Sequence, residues 1–234
     1  MLSIRNLVVH RGGKPVLHGI DLDIPPGEVT ALVGANGAGK SSTVMALAGA
    51  LPVSGGSIAL DGTPLHNRRP EAVRAAGVAV VPEGHRVLGE LPVRDNLLAA
   101  ATALPRARAE AAVDRALGIF PELVPHLGSP GRSLSGGQKQ MVCIAQALVA
   151  APRYLVVDEL SLGLAPVVVK RLAEVVRSVA ADGVGVLLIE QFTTLALAIA
   201  SRACVLERGR MAFSGTAAEL RDKPEILHSS YLAG

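Results

Sequence analysis

Aromatic residues make up only 2% of this 234-residue chain, and tryptophan is absent. A core must therefore be assembled from Leu, Val, Ile and Ala, and the 50% hydrophobic content is enough for a sizeable one. Cysteine is almost missing too. Cys143 and Cys204 each sit inside an apolar segment, with no Cys or His at ligand spacing, which argues against a disulfide framework or a zinc site and reads as two buried, reduced thiols. No apolar run approaches the ~18 residues of a membrane span; stretches such as Leu195 to Ala200 end far sooner. No basic-then-apolar leader opens the chain either, because Arg5 and Asn6 interrupt its first apolar residues, so a cytoplasmic protein is expected. An excess of one charge is also lacking. The 23 Lys and Arg are interleaved with 20 Asp and Glu, giving a net charge of +3, and a nucleic-acid footprint of clustered basic residues is not seen. A mean hydropathy of +0.41 without a span suggests apolar surface kept for partners, although an Ala/Val-rich bias fits the same figure.

What is present reads as one large α/β domain over 1–234, since about 200–250 residues often remain a single unit. Residues 2–9 and 16–24 alternate apolar and polar side chains, as two antiparallel strands joined through Arg11-Gly12-Gly13-Lys14. Val29 to Val33 is a continuous apolar run, the mark of a central parallel strand buried on both faces. A helix is expected from Ser41 to Ala48, with strands at Ser57–Leu60 and Val78–Val81. From about Leu88 to Ala150 strand signals vanish, and Pro105, Pro121, Pro125 and Pro130 punctuate short helices, which predicts a helical subdomain over about 88–150. Strands return at Tyr154–Val157 and Val186–Ile189, with a helix from Val167 to Ala180 between them. Two short strands, 202–207 and 210–214, meet at Gly209 ahead of a helical tail. This alternation predicts a mainly parallel sheet flanked by helices, with right-handed connections.

Three segments carry chemistry. Gly34-Ala35-Asn36-Gly37-Ala38-Gly39-Lys40-Ser41 is a full G-x-x-x-x-G-K-[ST] phosphate loop, continued by Ser42. Its glycines let successive N–H groups turn inward as an anion nest at a helix N-terminus. Lys40 would reach the β- and γ-phosphates as a point charge, and the Ser41 hydroxyl would ligate Mg²⁺. The apolar strand from Tyr154 ends in Asp158-Glu159, so both carboxylates sit at a strand's C-terminal edge, where open α/β sheets bind ligands. Asp158 would hold Mg²⁺ and Glu159 would be the general base for an attacking water. Leu134-Ser135-Gly136-Gly137-Gln138 opens a further helix, which offers either another anion-binding N-terminus or a plain N-cap.

In this order the three segments resemble the ATPase subunits of ABC transporters, along the whole chain. The resemblance implies the P-loop ABC ATPase fold, with an antiparallel β subdomain beside the core sheet, and ATP with Mg²⁺ as ligands. It implies a second ATPase subunit whose bound ATP is covered by Leu134–Gln138, a heterodimer being favoured over a homodimer. It also implies membrane permease subunits, a position on the cytoplasmic face of the membrane, and an indirect link to an extracytoplasmic solute-binding protein. The stretch from Glu83 to Asn96 would meet the membrane partner. Most members carry a glutamine near Mg²⁺ and water where this chain has Pro82-Glu83-Gly84-His85-Arg86, so Glu83 falls at a metal-side position. Most have a γ-phosphate-sensing histidine where Gln191 follows Glu190, and most continue with proline where Leu160 follows Glu159. An aromatic usually stacks on adenine where the chain has Arg11, whose guanidinium can also stack. His10, His85 and Arg68-Arg69 read as packed or solvated side chains. The PEGxR, SLGLAP and EQ segments, with a Tyr231-Leu232 tail, are similar to the shorter, LivF-type ATPase of branched-chain amino-acid importers. Urea or amide import, or a nucleotide-binding module with little turnover, are the alternatives.

Overall fold

The computed structural model describes residues 1–227; the Tyr231-Leu232 tail lies outside them. Two sheets form its frame. The first is antiparallel, in the order β2-β1-β4-β5, from β1 (Leu2–Arg11), β2 (Lys14–Ile24), β4 (Val53–Leu60) and β5 (Thr63–Pro64). The Arg11↔Lys14 pair closes the β1–β2 hairpin over Gly12 and Gly13, both at positive φ as a two-residue turn requires. The second sheet has the order β10-β9-β3-β8-β7-β6. In it β3 (Val29–Val33), β6 (Val78–Val81), β7 (Tyr154–Asp158), β8 (Gly185–Glu190) and β9 (Arg202–Glu207) run parallel, and β10 (Arg210–Thr216) is an antiparallel edge.

The continuous apolar runs follow from this placement. Successive side chains of a strand point to opposite faces, and here both faces are covered. Val29, Ala31, Val33, Leu155, Val157, Val186 and Leu188 enter one buried cluster; Leu32, Val156, Leu187 and Ile189 enter the other. The first cluster also takes in α3 (Val93–Ala100), α4 (Arg106–Ile119), α5 (Gly136–Val149), α6 (Pro166–Ala181) and α7 (Thr193–Ile199), and the second is shared with the antiparallel sheet and α1 (Lys40–Leu47). Between β6 and β7 the named elements are all helices, with 3-10 turns at Pro121–His126 and Gly131–Ser133. Both cysteines are buried and free, and burial pushes the Cys143 thiol up to about 11.

The sequence-based boundaries need several corrections. Strand β4 begins at Val53 rather than Ser57, carried through Gly55-Gly56 because Gly56 (φ 75°) fits where a Cβ would meet Asn6 O at 2.1 Å. Two helices were not expected, α2 (Pro70–Ala75) and α7, and the short α8 (Ala217–Arg221) begins the tail behind a Thr216 capping box. Among the described residues no helix is long and apolar enough to cross a membrane.

Candidate active site

Strand β3 is buried along its length between β8 and β9, and the chain leaves its C-terminal end through Gly34. A Cβ on Gly34 (φ 156°) would lie 2.2 Å from Leu206 O, so a side chain there would collide with the backbone of β9. Gly39 (φ 111°) caps α1 in a left-handed conformation, and a Cβ there would be 2.7 Å from Leu17 Cδ2. The loop thereby delivers Lys40 as the first residue of α1. Lys40 is 6% exposed, and its Nζ donates to Gly34 O at 2.7 Å and Ala35 O at 3.0 Å. Burial pushes the Lys40 pKa down, while the charges of Glu159, Asp158, Glu190 and Glu83 hold it up. This is a cation resting on exchangeable carbonyls, surrounded by acids.

Asp158 ends β7 and is also 6% exposed. Burial raises its carboxyl to about 6, the negative charges of Glu159 and Glu83 add to the rise, and Lys40 opposes it. Glu159 follows with φ 57°, a left-handed backbone unusual for a residue with a side chain. Its N–H donates to Ile189 O at 3.0 Å, and burial followed by the Glu83 charge raises its pKa. Four carboxylates, Glu159, Asp158, Glu190 and Glu83, thus interact with one ammonium. Their hard oxygens and unbalanced negative charge fit a Mg²⁺ ion. Among the described residues no three acidic, His or Cys side chains form a ready-made metal cage. Such an ion would complete its shell with water and substrate oxygens, as Mg²⁺ commonly does.

A cavity of about 530 Å³ opens here, lined by Arg11, Val16, Asn36, Gly37, Gly39, Lys40, Ser41, Ser42, Glu83, Glu159, Leu162 and Gln191. Gly34 and Ala35 contribute carbonyls to Lys40 rather than wall, and Ala38 is buried at 4% exposure. Val16, Leu162 and the buried Glu190 beside Gln191 were not picked out from the sequence. Their roles come from distant strands meeting, apart from one hint: Glu190 is a charge ending an apolar run.

The Leu134–Gln138 segment contributes nothing to that wall. Leu134 is buried, Ser135 caps α5, and the capping box is complete: Gln138 N donates to Ser135 Oγ at 3.3 Å and Ser135 N to Gln138 Oε1 at 2.9 Å. Gln138 Nε2 lies 2.8 Å from His126 Nε2. Gly137 lets α5 pass Val168 of α6, whose Cγ1 would be 2.8 Å from a Cβ, and Gly136 precedes it at the exposed helix start. His85 Nδ1 pairs with the buried Gln140 Oε1 at 2.8 Å, tying the Glu83 loop to the same helix, and His10 Nδ1 pairs with Ser54 Oγ at 2.7 Å. Arg68 and Arg69 are exposed. Leu160, at the usual proline position, is fully buried in the core.

A phosphate loop running from a buried parallel strand into a helix, with an acidic pair at the end of a strand one place removed in the same sheet, defines a P-loop nucleoside triphosphatase. Residues 17–161 match the family described as ABC transporter. Across 100% of both chains the sequence is 36% identical to the high-affinity branched-chain amino acid transport ATP-binding protein BraG of Pseudomonas aeruginosa. It is 31% identical to the lipopolysaccharide export system ATP-binding protein LptB of Escherichia coli, over 94% of this chain and 92% of that one. A solved structure of an ATP-binding subunit of an ABC transporter superposes with a TM-score of 0.84 at 30% identity, covering 97% of this chain and 94% of that one. The chain belongs to the ABC transporter family of ATP-binding domains, and it is an ATPase with that fold.

Proposed function

We propose that this chain is the ATP-hydrolysing subunit of an importer for branched-chain or other hydrophobic amino acids, seated on the cytoplasmic face of the membrane. The observation that carries the catalytic part is the 530 Å³ cavity, which gathers Lys40, Ser41, Glu83, Glu159 and Gln191 from four separate segments. ATP enters with its phosphates on the loop, and Lys40 exchanges the Gly34 and Ala35 carbonyls for phosphate oxygens. Asn36, Gly37, Ala38 and Gly39 supply backbone N–H groups, Ser42 lies beside Ser41, and Arg11 covers the base. Glu159, with its raised pKa, accepts the proton of the attacking water, and Gln191 offers an amide to the γ-phosphate. When bound, Mg²⁺ would be held by Ser41, Asp158 and Glu83 and would neutralise charge on the β- and γ-phosphates.

The whole of 1–234 reads as one domain with a helical subdomain at about 88–150, because the two buried clusters share one central sheet. A second ATPase subunit, in a heterodimer, completes the site. Leu134–Gln138 lies away from this chain's own cavity, and the apolar Leu162, Val167 and Phe192 are exposed. Permease subunits would dock at the cleft of about 420 Å³ lined by Arg86 and Leu88, with the exposed Leu91 nearby. A solute-binding protein acts through them. The solute reading rests on the likeness to BraG, which exceeds that to LptB.

The test is ATP-dependent uptake of labelled leucine, isoleucine and valine by vesicles holding the chain with its co-purified membrane subunits and binding protein. Uptake that Lys40→Ala abolishes is expected. ATP turnover with no uptake of any of the three refutes the solute, and turnover unaffected by Lys40→Ala refutes the catalytic reading.

A further inference from the structure

Glu190 has no part in the reaction described above, yet it is a carboxylate at 1% exposure, ending the central strand β8 beside the site. A buried carboxylate persists where hydrogen-bond donors satisfy it, and here the donors come from two chain segments. Ser161 N donates to Oε1 at 3.1 Å and Ser161 Oγ to Oε2 at 3.1 Å. The backbone N–H groups of Leu160 and Phe192 also point to the carboxylate. Leu160 and Ser161 directly follow Glu159; Phe192 directly follows Gln191. One carboxylate therefore ties the backbone after the acidic pair to the backbone after the strand's own polar end.

The tie has a purpose in the conformation of Glu159. Its φ of 57° is a strained conformation for a residue with a side chain and persists only where the surroundings over-determine it. On its N-terminal side Glu159 is held through its own N–H to Ile189 O. On its C-terminal side, the next two N–H groups are held by Glu190. Leu160 supplies one of these donors, which a proline at that place lacks.

We propose that Glu190 is a positioning residue: its carboxylate clamps Leu160, Ser161 and Phe192 so that Glu159 and Gln191 are presented to the nucleotide together. The inference rests on the reading of Glu159 as the proton-accepting carboxylate. Misplacement of a catalytic group by about 1 Å costs on the order of 10²-fold. Glu190→Gln leaves one acceptor oxygen where there were two. In the assembled complex it should lower kcat by about 10- to 100-fold while affinity for trinitrophenyl-ATP stays within about 3-fold. Ser161→Ala removes one donor and should lower kcat by a smaller factor, again without loss of nucleotide affinity; this milder change serves if Glu190→Gln does not fold. In the Glu159→Gln background, Glu190→Gln should lower kcat by a smaller factor than in the wild type, because one of the two groups it positions is gone. Wild-type kcat for both Glu190→Gln and Ser161→Ala, with Glu159→Gln inactive, overturns the positioning role and leaves the catalytic reading intact. Equal loss of kcat and nucleotide affinity makes Glu190 a structural residue only and also overturns it. Wild-type turnover by Glu159→Gln sinks the underlying reading instead.

Discussion

Replacing Glu159 by glutamine should separate binding from hydrolysis. The substitution keeps size and shape, so the left-handed backbone and the Glu159 N–H to Ile189 O bond should survive. What is lost is a carboxylate whose pKa is raised by burial and by the Glu83 charge, which makes it a stronger base than an ordinary glutamate. General-base catalysis is worth about 10²–10⁴-fold, or roughly 2.7–5.5 kcal/mol of barrier, and turnover should fall by that factor. Binding should move the other way. The site sets Asp158, Glu159 and Glu83 against Lys40, so removing one negative charge relieves repulsion of the polyphosphate. Two like charges about 8 Å apart at an effective dielectric of ~20 repel by about 2 kcal/mol. Solvent and counter-ions reduce this at an open cavity, leaving a gain in affinity of about two- to tenfold. Phosphate release from the assembled complex measures the first effect, and displacement of trinitrophenyl-ATP the second. Turnover within about threefold of wild type, or weaker ATP binding with the loss of turnover, refutes the reasoning.

Gln191→Ala should impair hydrolysis much more than ATP binding. Gln191→His should remain active and gain a pH dependence between about 5 and 8, read from kcat against pH. Gly34→Ala should destabilise the protein by more than ~2 kcal/mol, since its Cβ would meet Leu206 O at 2.2 Å on a backbone that cannot retreat; an unchanged denaturation midpoint counts against it. Because the Asp158 pKa is raised to about 6 from 3.8 in the fold, its contribution to stability is full below about pH 4 and lost as pH rises through about 6, up to ~3 kcal/mol. Nucleotide-free Asp158→Asn should accordingly show a flatter melting-temperature profile between pH 4 and 7 than wild type, and identical profiles refute the assignment.

The parallel sheet was legible because β3, β7 and β8 are buried on both faces, so their runs are almost wholly apolar, with Thr30 the one polar residue inside β3. The phosphate loop was legible because its chemistry is local: glycines, lysine and serine act within one turn. Helices α2 and α7 were missed for the opposite reason. At 6 and 7 residues they are too short to show a helical period, and α7 is held by packing of Ala196, Leu197 and Ile199 against the core. Strand β4 hid behind Gly55-Gly56, whose composition suggests a turn until the backbone of Asn6 is seen against Gly56. Glu190 was noticed in the sequence only as the neighbour of Gln191. Its partner Ser161 is 29 residues away, and no local pattern announces a hydrogen bond across two strand ends.

The charge arrangement of the site explains why catalysis and assembly belong together. One lysine faces three carboxylates that line or border the cavity, and Glu190 adds a fourth behind them. Such a site repels a bare polyphosphate; the Asp158 carboxyl, raised first by burial, is raised further by the charges of Glu159 and Glu83. Two things could balance it: a divalent cation brought with the nucleotide, and a second ring of donors closing over the outer phosphates. The chain owns such donors at the start of α5, with the Ser135 cap and Gly136 exposed. They sit on a helix whose first turn is braced against α6 by Gly137 and Val168, so they cannot fold back onto the cavity without breaking that packing. On the proposed reading, this second set of donors would reach the nucleotide of a partner ATPase subunit rather than this chain's own cavity. Leu162 at the cavity wall, with Val167 and Phe192 also exposed, would offer apolar surface to such a subunit.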